Sequence, residues 1–571
     1  MLRKGQPPTA KADYDPIGVH AALVGFGPRK APLVGQRLPL SSGDAIFIVV
    51  MALVCGLSVF TGLATPLGSY GHDVLFLLDT ANRVIQGQVP HRDFSSAWGP
   101  VMYLIDSAGL LMAGMRPAGI GYANAVFGAV IATWTFLLAR AVWSSATACA
   151  LGIYTVLLIA APFPLGDNPF DFGYAMIYNR YGYAIFGIVI VECARNGFSM
   201  SDGRGNSAIG PVSSGIALGI LAFLKISYAM VAIPFFAVST LIAATYCWRR
   251  LFYALGGFSI VAVSIMGYLH FEFYDMWNDL SIAAAARRIS LHPRYSVSAI
   301  DVMQDATIIL FSFLIYKSGP QSILKSNVRL HAIAMALMAV AAGYLLLISN
   351  QQTDVFPLNG YVAVGLVAGY RALSAAKPVV WRGLSPGFPI PALLLICLLP
   401  LYLWNGISLA GAAVEHAQPV RAHVMLLESP GRGADLLFRP ITEPIPTETT
   451  GAAYVQAVND GLELLRRHTG DSDGVLAFDE FNPFNYLLDR PPPLGGLAAA
   501  AYNYIFCDEA HPGAERFFGN ARYVMVRKYI ATGSAIERDN VVALMRIYGP
   551  ALRANFAPVE ETGHWALWGR K

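Results

Sequence analysis

Outside its apolar runs the chain carries a short set of side chains able to do acid–base or anion chemistry. His72 and Asp73 follow the first apolar run and open "HDVLFLLDTANRVIQG". Asp167 and Asp171 lie in "APFPLGDNPFDFGYAMIYNRYG", Lys225 interrupts "GILAFLKISYAMVAIPF", and Arg287 and Arg288 end "AAAARR". A carboxylate can take the proton of an attacking hydroxyl or amine. Fixed cations can hold a phosphate and stabilise the charge it gains as a leaving group. Acids outside the membrane with cations at its interface describe a site for a lipid-linked anionic substrate. Each residue also has a plainer reading. Asp73 at a helix start suits an N-cap favoured by the dipole. Acids beside Pro and Gly suit a solvated turn, and a lone boundary lysine can snorkel.

A further polar stretch, "VPHRDFSSAWGP", places His91-Arg92-Asp93-Phe94 after a helical stretch that ends at Gly87. H-R-D-F would open a kinase catalytic loop only beside a Gly-rich loop, a strand lysine and a downstream D-F-G. The sequence has none of these in order. An Asp in a Pro-flanked turn commonly bonds nearby backbone N–H groups. His72, Arg92 and Asp93 are therefore read as loop-structuring or substrate-binding residues.

These groups must be positioned by apolar elements. Of the 571 residues 55% are hydrophobic and only 13% charged, against about 25% charged in soluble domains. With a mean hydropathy of +0.50, the chain reads as a polytopic membrane protein. Its net charge of +4 is small and scattered, so nucleic acid is excluded as a partner. The six cysteines imply neither a disulfide framework nor a C-x-x-C metal site. Apolar runs near 45–67, 119–141, 145–163, 180–195, 208–225, 227–246, 251–270, 302–317, 329–348, 357–374 and 388–407 suggest eleven spans. With the basic N-terminus inside, seventeen Lys and Arg fall on inside segments and eight on outside loops of the membrane part. The short segment 99–115 carries Asp106 mid-run and reads better as an interfacial or re-entrant helix.

An odd number of spans places the C-terminus outside. The expected architecture is an α-helical polytopic membrane protein of about 11 transmembrane helices with a C-terminal extracytoplasmic α/β domain. Residues 1–44 form a cytoplasmic segment, 45–410 the membrane domain with an outside loop at 68–118, and 411–571 the soluble domain. Within the last, "GVLAFDEF", "ARYVMVRKYI" and "HWALWGRK" read as strands, and "TGAAYVQAVNDGLELLRRHTG" as a helix closed by Gly. No internal repeat is evident, which counts against an inverted-repeat transporter.

In order and spacing, residues 45–300 resemble the GT-C superfamily of membrane glycosyltransferases, the group of protein O-mannosyltransferases and lipid A aminoarabinose transferases. The loop "GHDVLFLLDTANRVIQGQVPHRDFSSAWGPVMYL" is similar to their first outside loop, where P-Y-R-D-F and G-P-L-x-Y-L recur. An acid-bearing loop, the interfacial lysine of "GIALGILAFLK" and the basic turn "WRRLFYALGG" continue the likeness. The family often has Asp-Glu where this chain has His72-Asp73-Val74, so Asp73 takes either acidic position depending on a one-residue register. The resemblance implies a polyprenyl-phosphate sugar donor and an unknown envelope acceptor, a lipid, glycan or protein, at the outer face of the inner membrane. It implies Asp73 as the catalytic acid/base, Asp171 or Asp167 as the second-loop acid, and Lys225 on the lipid phosphate. Arg287 and Arg288 would add cations there. One carboxylate and no covalent step imply inversion at the anomeric carbon. No cofactor is certain; a divalent cation between Asp73 and the second-loop acid is one option, with too few ligands in the sequence to assign it. The competing expectation is a transporter, flippase or non-catalytic component of envelope polysaccharide assembly. Such a protein would carry its charges near the bilayer midplane.

Overall fold

The computed structural model describes residues 41–571 except 63–66, 69–70, 199–207, 244–247, 290–296, 318–322, 350–354, 375–388, 419–424, 430, 440–450 and 529–534. Nearly all of the expected N-terminal segment 1–44 thus lies outside the described residues. Each of the eleven apolar runs forms a helix. In chain order the helices are α1 (Ser42–Gly62), α2 (Asp73–Ile85), α3 (Pro100–Met112), α4 (Gly119–Arg140), α5 (Ser145–Ala160), α6 (Ile177–Gly197) and α7 (Ile209–Leu224). There follow α8 (Ile226–Ile242), α9 (Trp248–Tyr268), α10 (Phe273–Ile289), α11 (Ala299–Lys317), α12 (Ile323–Ser349), α13 (Leu358–Ser374) and α14 (Pro389–Ala417). Among the described residues six stretches are long and apolar enough to cross a bilayer: α1, α4, α9, α11, Asn327–Ser349 of α12 and Ile390–Ala417 of α14. With this composition they make the chain a multi-pass membrane protein.

Ion pairs fix one end of the bundle. Arg140 Nε lies 2.8 Å from Asp44 Oδ1, joining the start of α1 to the end of α4. Glu192 of α6 receives both Arg195 and Arg250, each at 3.2 Å, so the basic turn at 248–251 is anchored to α6. Asp44 and Glu192 are tolerated there because each is paired; removing one partner would strand the other.

At the opposite end lie the loops that build the site. α3 is only 13 residues long and packs between α2 and α4. Asp106 points inward, 3% exposed, and burial pushes its carboxyl well above the usual range. A neutral carboxylic acid is the form such a pocket favours.

The C-terminal residues form a β1–β2 pair (Met425–Leu426, Leu437–Phe438) and a four-stranded sheet in the order β3-β4-β6-β5. β3 (Val475–Phe478) runs parallel to β4 (Tyr523–Arg527), while β6 (Trp565–Arg570) is antiparallel to β4 and to β5 (Phe556–Glu561). The three expected strand segments are β3, β4 and β6. The expected helix is α15 (Gly451–His468), tied to the sheet where Trp565 Nε1 donates to the Ala457 carbonyl at 2.7 Å. Short α16 (Phe484–Leu487) and α17 (Ala514–Phe518), and long α18 (Ala535–Asn555), complete this part. α18 has no counterpart in the sequence reading, where Pro550 interrupts its helical pattern.

Candidate active site between the first loop and the C-terminal sheet

Asp73 is the first residue of α2, and the cap position belongs to His72, whose side chain makes no capping bond. The N-cap reading of Asp73 is therefore corrected: its carboxylate is left for other work. The helix ends as its sequence requires, with Gly87 at φ +87°, a conformation that suits glycine. Arg83, 1% exposed, holds α2 in place. It pairs with Asp79 at 3.0 Å and donates at 3.2 Å to Gln88 and to the carbonyls of Pro493 and Gly495. Gln88 adds a bond of 2.7 Å to the Pro492 carbonyl.

The H-R-D-F turn continues this seam. His91 adopts φ +70°. The Asp93 carboxylate accepts the Val89 N–H at 2.7 Å and pairs with Arg92 at 2.7 Å. The Asp93 carbonyl accepts from Gly495 at 2.6 Å, and Ser95 exchanges backbone bonds with Gly496 and Ala498. Next in the chain, Gly99 donates to the Leu224 carbonyl at 3.1 Å, and a Cβ there would collide with the Phe223 carbonyl. The first loop is thus clamped between the C-terminal loop at 492–498 and the end of α7.

The clamp encloses a cavity of about 460 Å³, lined by His72, Asp73, Phe76, Trp98, Tyr174, Tyr178, Lys225, Ser227, Arg287, Glu480, Phe481 and Tyr504 among others. Such a volume is in the range of small-molecule sites. The Asp73 side chain is 19% exposed, and His72 Nε2 lies 3.3 Å from its Oδ1. Desolvation by the surrounding protein pushes the Asp73 carboxyl up to about 7, since burial disfavours the charged form.

Lys225 sits at the break between α7 and α8, where its extended backbone (φ −159°, ψ 115°) ends one helix and starts the next. Its Nζ donates to Asn179 Oδ1 at 3.3 Å and stands 4.5 Å above the Tyr178 ring. Among the described residues no carboxylate pairs with it. Arg287 lies 5.1 Å over Tyr504 and is close enough for its charge to act on Lys225 and Tyr178. An aromatic wall joins the cation end to the acid end, with centroid separations of 5.5 Å for Trp98–Tyr178, 5.0 Å for Trp98–Phe76 and 5.4 Å for Phe76–Phe481. At the acid end, burial and then the charges of Asp479, Asp73 and Glu480 push the Tyr454 hydroxyl up, against Arg527.

His72, Asp73, Lys225 and Arg287 therefore share one cavity. The Arg288 side chain lies outside the described residues. Arg92 and Asp93 stand in the supporting turn and do not line the cavity. Asp167 and Asp171 do not line it either. Their loop turns on itself through Asp167 N–H to Pro164 and Asp171 N–H to Asn168, and Gly68 N–H caps Phe172 at 2.6 Å. Asp171 is thereby laid against Gly68. The second cavity carboxylate is Glu480, just past β3. Among the described residues no three His, Cys, Asp or Glu side chains group as a metal site. Glu480, Phe481 and Tyr504 escaped the sequence reading because they stand some 400 positions from Asp73; the sole hint was the acidic, aromatic end of "GVLAFDEF".

No family model matches the sequence, and no curated protein matches it. Among solved structures the chain is similar to ArnT from Cupriavidus metallidurans bound to undecaprenyl phosphate. The identity is 12% and the TM-score 0.46, over 92% of this chain and 97% of that one. The apo state of the same protein gives 12%, 0.46, 92% and 98%. An Archaeoglobus fulgidus oligosaccharyltransferase tethered with an acceptor peptide containing the NVT sequon gives 13% and 0.34, over 84% of this chain and 69% of that one.

Proposed function

We propose that the protein is a membrane glycosyltransferase of the GT-C type that moves a sugar from a polyprenyl-phosphate donor to an envelope acceptor, with inversion, at the outer face of the inner membrane. The observation that carries this reading is one cavity with a carboxylate of raised pKa at one end and two cations at the other. Asp73 takes the proton of the acceptor hydroxyl or amine as that atom attacks the anomeric carbon. The bond from the anomeric carbon to the phosphate oxygen breaks, and the electron pair leaves with polyprenyl phosphate. Lys225 and Arg287 meet the charge that grows on the phosphate, and they do so with most force where water is excluded. The aromatic wall offers faces against which sugar C–H groups can stack. Glu480 and Phe481 bring the C-terminal part to the acid end, where the acceptor enters. About eleven spans and an extracytoplasmic α/β domain complete this reading.

The test is donor affinity. With a polyprenyl-phosphate analogue in detergent, Lys225→Ala should bind at least about tenfold more weakly, the loss of one charge-assisted contact of about 1.5–3 kcal/mol. Lys225→Arg should retain part of the affinity. Equal affinity in Lys225→Ala and the parent would remove the donor site from this cavity.

A further inference from the structure

The carboxylate of Asp279 takes no part in the chemistry above, yet it is the most fully enclosed acid at the site. Its side chain is 1% exposed and is met from three directions. His91 Nδ1 and the Ser96 N–H approach Oδ2 at 3.1 and 3.0 Å, and Arg516 Nη2 stands 3.3 Å from Oδ1. Asp279 belongs to α10, His91 and Ser96 to the first loop, and Arg516 to α17 in the C-terminal part. Arg516 also donates to the His91 carbonyl and lies 3.4 Å from Asp275 of α10. A carboxylate is buried so completely only where partners compensate its desolvation. Here the partners join three segments that are far apart in the chain.

What this junction holds is the helix that carries Arg287. The α10 residues on the cavity, Leu280, Ala283, Ala284 and Arg287, recur at three- and four-residue steps and form one stripe beginning beside Asp279. Met276, one turn before, packs with Val89 and Phe223 on the same side. The face of α10 turned away from Asp279 exposes Tyr274 at 77% and Trp277 at 60%. Rotation and height of the helix are therefore set from the Asp279 side, and eight residues further on they fix where the Arg287 guanidinium stands.

We propose that Asp279 is a positioning residue for the donor phosphate, acting through Arg287, with Arg516 making the C-terminal part a component of the donor site. This rests on the proposed function, and a double-mutant cycle separates the two. In the full chain, donor-analogue affinity and the KM and kcat of transfer are measured for Asp279→Asn, Arg287→Ala and the double variant. Asp279→Asn should weaken donor binding by about as much as Arg287→Ala, on the order of tenfold, because groups acting through one another are not additive. In the Arg287→Ala background it should add less than about twofold. The pH midpoint of kcat/KM, set by Asp73, should stay in place. Losses that multiply, or donor affinity unchanged in Asp279→Asn, overturn the positioning role while leaving the proposed function standing. Donor affinity unchanged in Arg287→Ala overturns this proposal, and if Lys225→Ala is also without effect the donor reading falls with it. Should Asp279→Asn not fold, Arg516→Gln, at a partly exposed side chain, enters the same cycle with the same expected non-additivity, and multiplying losses there overturn the proposal.

Discussion

At the scale of the residue, Asp73 decides what the cavity can do. A general base is most effective with a pKa near the working pH, and removing one lowers the rate by about 10²–10⁴-fold. Asp73→Asn is therefore expected to lose transfer by that factor while expression and donor affinity stay close to the parent. A folded Asp73→Asn protein turning over at the parental rate would sink the assignment. The pH profile gives an independent check. Burial raises the carboxyl to about 7, and only its deprotonated form accepts a proton. The rate should thus rise as pH increases through about 7 and fall below it. A profile flat between pH 5.5 and 8 would show that another group takes the proton.

At the scale of the element, the H-R-D-F turn works as a clasp. Its residues reach the C-terminal loop at Gly495 and Gly496, the end of α7 through Gly99, and α10 through His91. Asp93 closes the turn on itself by accepting the Val89 N–H. Replacing it with Asn keeps the shape but removes the charge that Arg92 and the N–H groups meet, a change worth about 1–3 kcal/mol. Asp93→Asn should therefore melt earlier in detergent and lose activity in proportion to the folded fraction. A variant with parental melting and no activity would move the chemistry into the turn. The same pairing illustrates why buried polar elements come in closed sets. Arg83 spends its guanidinium on Asp79, Gln88 and two carbonyls of the C-terminal loop, and so α2 cannot shift without stranding them.

At the scale of the whole molecule, the cavity belongs to no single part. The first loop supplies Asp73, the break between two bundle helices Lys225, α10 Arg287, and the turn just past β3 Glu480 with Phe481. If the first loop faces the outside, the C-terminal part must face it too, because the two share backbone hydrogen bonds. Protease added to right-side-out spheroplasts should then cut within the sequence after residue 418. Full protection of the C-terminus there, with cleavage after lysis, would reverse the topology and with it the outer-face reading.

Much of this was legible in the sequence because it is set locally. Apolar runs bury or face lipid wherever they lie, so all eleven runs turned out helical, though α14 continues ten residues past its expected end and α12 begins six before its expected start. Asp73 and Gly87 mark the limits of α2 for reasons of dipole and backbone conformation, and the β-branched and aromatic segments near 475, 523 and 565 became strands. Residue types also drew attention to Asp73, Lys225 and Arg287, since isolated charges beside apolar runs need a reason to be there. What only the tertiary structure decided is which of them meet. The loop holding Asp167 and Asp171 folds back on Gly68, a choice made by its own backbone bonds, and the second acid of the cavity comes instead from Glu480. The hold on α10 through Asp279, His91 and Arg516 was equally invisible. Contacts between residues hundreds of positions apart leave no period or spacing in the chain; they exist only once burial forces each carboxylate to find a cation or an N–H.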